Sequence, residues 1–156
     1  MNYEINDETL AVLPISDNKC RVVENSNEYY IDTNSFDVIE HSCEYFGSTF
    51  LGRHVGSIKM LGSRYKTPII IAETDSIIVF PTHSPRNKEC IWICLNNINK
   101  IYKTNNDKTV IEFVSGDILE LNISYNVVNN QILKATRLKH IIDERKNTLN
   151  NTNKVL

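Results

Sequence analysis

At 156 residues, with 41% hydrophobic and 23% charged side chains, the chain has enough apolar content for one packed domain and an ordinary soluble surface. Its apolar runs, among them Pro68 to Ala72 and Ile77 to Phe80, are strand-sized and far short of the roughly 18–20 residues of a membrane-spanning helix. The formal net charge of −2 averages two unlike parts: residues 1–50 carry ten acidic side chains against Lys19 and Arg21, whereas residues 51–156 carry fifteen basic and nine acidic ones. Nets of −8 and +6 permit an anionic partner without requiring one.

The start, Met1-Asn2-Tyr3-Glu4, lacks the basic and apolar stretches of a signal peptide. A cytoplasmic protein with four reduced cysteines is the expectation. Thr9 to Ile15 reads as a strand, and Cys20 to Val23 with Glu28 to Ile31 as a hairpin across Asn25-Ser26-Asn27. A helix is expected from Asp32-Thr33-Asn34, whose side-chain oxygens suit capping, with Phe36, Ile39, Cys43 and Phe46 on one face and Gly47 as the stop. Residues 48–66 read as a second helix, against the cost of Gly52 and Gly56 at roughly 1 kcal/mol each. Strands are expected at 68–72, 76–80, 90–95, 99–104, 108–114 and 117–123, the last two joined at Ser115-Gly116-Asp117.

From Ser124 the apolar period becomes helical: Val128, Ile132, Ala135, Leu138 and Ile142 share a face, with Lys134, Arg137, Ile141 and Arg145 towards the other side. This helix is expected to end near Lys146, and the Asn-rich residues 148–156 to form a disordered tail. No linker divides the chain, so residues 1–147 read as a single domain. The fold class is α+β, an antiparallel sheet with an internal helix and a long C-terminal amphipathic helix packed on it.

Enzymatic motifs are missing: no Gly-x-Ser-x-Gly, phosphate loop or dinucleotide fingerprint occurs. Cys90 and Cys94 share a strand face but sit about 13 Å apart along it, too far to chelate one ion. His41 and Cys43 diverge by roughly 200° on a helix. Neither pair has structural-zinc spacing, so no metal, cofactor or catalytic residue is expected. Two segments suit an anion instead. Gly52 to Lys66 holds Arg53, His54, Lys59, Arg64 and Lys66 without an acidic residue. The Pro-stiffened arm Phe80 to Lys88 presents His83, Arg86, Asn87 and Lys88, residue types that read the minor groove of A·T-rich DNA. Lys134 and Arg137 are expected to contact phosphates.

Several stretches form a series, in order and spacing, from about Tyr3 to Leu138. They are Tyr3-Glu4-Ile5-Asn6 leading to Ala11-Val12-Leu13-Pro14, Ser42-Cys43-Glu44-Tyr45-Phe46-Gly47-Ser48, Gly52-Arg53, and Tyr65-Lys66-Thr67-Pro68-Ile69. Phe80-Pro81-Thr82-His83-Ser84, Cys90-Ile91-Trp92-Ile93, Phe113-Val114-Ser115-Gly116, Leu121-Asn122-Ile123-Ser124-Tyr125 and Asn130-Gln131 follow. Together these stretches resemble the ComK family of competence transcription factors, which implies a transcriptional activator of DNA-uptake genes that binds double-stranded A/T-rich boxes, largely through the minor groove. It further implies homodimers, of higher order on paired boxes, work with RNA polymerase, and proteolysis through a Clp adaptor, with no membrane role. Longer members continue past the terminal helix, so functions in that region are not carried over. The alternative from the residues alone is a non-enzymatic module binding protein or lipid headgroups through the same basic surface.

Overall fold

A computed structural model describes residues 2–155, with side chains to Asn151. β1 (Thr9–Ser16), β2 (Lys19–Glu24) and β3 (Asn27–Ile31) form a meander, followed by helices α1 (Ser35–Tyr45) and α2 (Phe50–Leu61). β4 (Ile69–Ala72), β5 (Ile77–Pro81) and β6 (Trp92–Cys94) complete a six-stranded antiparallel sheet in the order β3-β2-β1-β6-β5-β4. A short 3-10 turn, Leu95–Asn97, then redirects the chain into β7 (Ile98–Lys103), β8 (Lys108–Phe113) and β9 (Ile118–Ser124). These three pair only with one another, so the expected single sheet divides in two at that turn. Helix α3 (Tyr125–Val155) closes the described chain. It runs past the expected end at Lys146, and the segment expected to be a disordered tail is helical to Val155, Leu156 lying outside the described residues.

The large sheet is covered on both faces, which explains why its central strands are continuous apolar runs rather than alternating ones. On one face Val12, Val22, Ile69, Val79 and Trp92 pack beneath Val38, Ile39 and Cys43 of α1. On the other, Ile70, Ile78, Phe80 and Ile93 pack with Ile111 and Phe113 of β8 and with Val128, Ala135, Leu138 and Ile142 of α3. Alternation through β6 therefore sends Trp92 and Cys94 to the α1 side and Ile93 to the α3 side.

Both internal helices begin on side-chain caps. The Asn34 side chain accepts the Asp37 amide at 2.9 Å, and Thr49 Oγ1 accepts the Gly52 amide at 3.0 Å. Gly52 has a local purpose: a Cβ there would lie 3.1 Å from Ser48 Oγ and 3.2 Å from Thr49 Oγ1, crowding that cap. α2 buries only Ser57 and Leu61 fully, and Gly62 ends it in the left-handed region at φ +70°. The chain leaves this helix as a loop, 62–67, between α2 and β4.

Candidate functional site

The loop 62–67 is held from three sides. Gly62 N–H donates to Ile58 O, Thr67 Oγ1 donates to Ser63 O, and Gln131 Nε2 of α3 donates to Lys66 O at 2.8 Å. Lys66 itself sits at φ +45°, a conformation a non-glycine residue keeps only where its surroundings demand it. The same Gln131 nitrogen donates to Pro81 O at 2.7 Å, at the start of the arm. One buried carboxamide thus joins α3, the loop and the arm's root.

Around that anchor the structure gathers cations. Lys134 Nζ donates to Tyr65 O at 2.8 Å and lies 5.6 Å from the Tyr65 ring centroid, with Lys66 Nζ 5.1 Å from the same centroid. Arg137, one turn further along α3, donates to Leu61 O at 3.3 Å. Lys59 is exposed in the last turn of α2, and Arg64 is exposed in the loop. No acidic residue occurs between Glu44 and Glu73 or between Glu120 and Asp143. Partial burial, and then the Lys66 ammonium, depress the Lys134 pKa, with Tyr65 acting in the opposite sense. Such a group favours a counter-anion, because an added negative charge relieves the repulsion between the two lysines.

Tyr65 stands 67% exposed in the middle of these cations. Sequence marks it only within the stretch Tyr65-Lys66-Thr67-Pro68-Ile69 and gives it no role, because its spacing carries no signal. Its neighbours Lys66 and Lys134 are 68 positions apart in the chain and meet only in the fold.

The arm behaves differently. Rather than projecting freely, it folds against the N-terminus of α1, placing the Arg86 guanidinium 4.2 Å from the centroid of the Phe36 ring. Phe36 in turn meets Phe50 edge-on at 4.8 Å, and Phe50 stacks on His54 at 5.4 Å. Arg86, Asn87 and Lys88 remain exposed, beside an open groove of about 810 Å³ between the arm and the end of β1. The Asn87 side chain accepts the Glu89 amide at 2.8 Å, and Lys88 lies 4.0 Å from Asp17. His83 sits at the arm's root, Nδ1 2.9 Å from Thr82 Oγ1.

Arg53 and His54 point inward. The Arg53 side chain is only 12% exposed and pairs with Glu73 Oε1 at 2.6 Å. Burial lowers the His54 pKa, which keeps the stacked ring neutral. The eleven basic or amide side chains singled out by sequence therefore divide three ways. Lys66, Lys134 and Arg137 meet at residues 61–65, with Lys59 and Arg64 exposed at the end of α2 and in the loop; His83, Arg86, Asn87 and Lys88 lie on the arm; and Arg53 pairs with Glu73 while His54 stacks on Phe50.

The family described as ComK protein matches residues 1–147. The chain belongs to the ComK family. It is similar to the competence transcription factor of Bacillus subtilis (strain 168), with 31% identity over 147 residues covering 92% of this chain and 77% of that one. No solved structure matches it. Three of the stretches that carry the ComK resemblance, around Tyr65-Lys66, Phe80-Pro81 and Asn130-Gln131, meet at the Gln131 carboxamide.

Other chemistry finds little support in the ComK fold. All four cysteines are buried, and burial raises the Cys20, Cys43 and Cys90 pKa values to about 11 and that of Cys94 to about 12. Such thiols stay protonated at neutral pH, the opposite of what a nucleophile needs. Among the described residues no group of three or more His, Cys, Asp or Glu is placed to hold a metal ion, and no helix is long and apolar enough to cross a membrane.

Proposed function

We propose that this chain is a DNA-binding transcriptional activator of competence genes, and that it meets the duplex with the surface built from loop 62–67 and α3. The observation that carries this reading is the meeting of Lys66 and Lys134 at an exposed Tyr65, with Arg137 bound to Leu61 O and Lys59 and Arg64 exposed on the same acid-free stretch of chain. Such cations suit the phosphates along a duplex backbone, and each one engaged releases counterions. The role of the Bacillus subtilis relative, a competence transcription factor, supports the same reading.

Phosphate contacts position a protein and base contacts specify the sequence. In this reading the cation cluster grips the backbone, while Arg86 and Asn87 on the neighbouring arm enter the minor groove of A/T-rich boxes, where a narrow groove concentrates negative potential. A homodimer spans paired boxes, and RNA polymerase and a Clp-protease adaptor approach from the acidic N-terminal side. The protein works in the cytoplasm on the nucleoid.

The test is the salt dependence of binding to a fixed duplex. Replacing Arg64, Lys134 or Arg137 by Ala weakens binding and lowers the slope of log K against log salt by about 1 for each phosphate no longer engaged. Arg53→Ala leaves that slope unchanged. Equal slopes for the three surface variants and the parent protein would place the DNA elsewhere.

A further inference from the structure

At the opposite end of the large sheet lies a second depression, of about 560 Å³, where the N-terminal segment crosses the β2–β3 hairpin and the end of α1. Its walls are aromatic. The Tyr3 and Tyr29 ring centroids are 6.0 Å apart, and Tyr45 meets Phe46 edge-on at 5.1 Å, with Tyr45 62% and Phe46 37% exposed. Its charge is negative, from Glu4 at the rim and Glu24 within.

Glu24 is the unusual member. It is 8% exposed, and buried carboxylates ordinarily face a cation. Here Tyr3 O–H and the Asn6 side-chain amide both donate to Oε1. Among the described residues neither a hydrogen bond nor an ion pair reaches Oε2. Burial, and then the hydrogen bond to Glu24, push the Tyr3 phenol far above its ordinary pKa, so Tyr3 remains a donor and supplies no charge of its own. Glu4 is shared with His41, its Oε2 lying 3.5 Å from His41 Nε2.

We propose that this depression is a receptor for an arginine side chain carried on a basic segment of a partner protein, with the aromatic rings stacking on the guanidinium and Glu24 Oε2 accepting from it. Charge complementarity selects this occupant. The first fifty residues carry a net charge of −8, which repels nucleic acid and draws a basic peptide. A planar guanidinium can lie against an aromatic face while forking its N–H groups onto a carboxylate, which an ammonium cannot do as well. The site is separated from the cation cluster by four strand spacings, about 20 Å, so both surfaces can be occupied at once. The proposal does not depend on the DNA reading.

The experiment titrates the isotopically labelled full chain with N-acetyl-arginine amide, and separately with N-acetyl-citrulline amide, its uncharged isostere, following backbone amide shifts by NMR. The arginine probe should saturate in the millimolar range, with shifts confined to residues 2–6, Glu24, Tyr29 and residues 45–46. The citrulline probe should bind about tenfold more weakly. Glu24→Gln keeps the shape and the acceptor for Tyr3 but should weaken arginine binding by about tenfold. Phe46→Ala, at an exposed wall where folding is not at stake, should weaken it several-fold. Equal response to the two probes, or unaltered arginine binding in both folded variants, would overturn the proposal. DNA affinity measured on the same variants reads the other surface separately.

Discussion

Gln131, at 3% exposure, donates through one nitrogen to the backbone carbonyls of Lys66 and Pro81 rather than to any cationic group. Gln131→Ala leaves two carbonyls short of a donor, and urea denaturation should show a loss of about 2–3 kcal/mol. DNA affinity should fall with it, because among the described residues no other α3 side chain donates to Lys66 O; an unchanged midpoint would mean that water replaces the amide without cost. Arg53 makes the complementary case. Its charge is committed to Glu73 and its stem is buried, so Arg53→Ala should lower Tm while leaving the salt slope of DNA binding alone. Composition counts Arg53 among the free cations because sequence records charge and not direction. Lys134 and Arg137 show the same limit: they fall on the side of α3 away from its core stripe, yet both turn back to the backbone of residues 61–65.

At the level of elements, local patterns carry most of the information. The Asn34 cap, the apolar spacing of Phe36, Ile39 and Cys43, and the positive φ of Gly47 and Gly116 are all short-range, and α1 and the β8–β9 hairpin lie where those residues place them. Phe46 is the exception on α1: it falls at the helical spacing but is 37% exposed, because the helix ends at Tyr45 and releases it to the surface. The division into two sheets is not legible, since it depends on which strands pair across the turn at Leu95–Asn97, and pairing partners leave no local signature. Helix α2 is legible despite its glycines, but it is expected to run to residue 66, whereas it stops at Leu61, where its apolar face ends. The five residues between form the loop that carries Arg64, Tyr65 and Lys66. Gly62→Ala, at φ +70°, should cost about 1 kcal/mol in stability and displace this loop; chemical denaturation checks the first effect and the DNA salt slope the second. An Ala variant as stable as the parent would mean that the helix ends without needing the left-handed cap.

Across the whole molecule, a sheet covered on both faces leaves every thiol in the interior. Folded pKa values of about 11 to 12 against an ordinary value of 9.0 mean that the unfolded chain releases these protons first as pH rises. The thiol contribution to stability is therefore complete below pH 9 and is lost as pH climbs towards 11–12. Iodoacetamide at neutral pH should label the native protein only as fast as it unfolds; rapid labelling of Cys43 or Cys90 alone would instead reveal an activated nucleophile. The same sheet separates two surfaces, with Lys66, Lys134 and Arg137 beside the loop that enters β4 and the acidic Glu4 and Glu24 at the β2–β3 hairpin. DNA binding at the first is the central claim, and fluorescence anisotropy tests it most directly. A duplex with two A/T-tract boxes one or two helical turns apart is titrated beside a scrambled duplex of equal length, at several salt concentrations. The account predicts clear preference for the boxes, affinity that falls steeply with salt, and loss of that preference when the spacing changes by half a turn. Weak and equal binding to both duplexes at every salt concentration would contradict it.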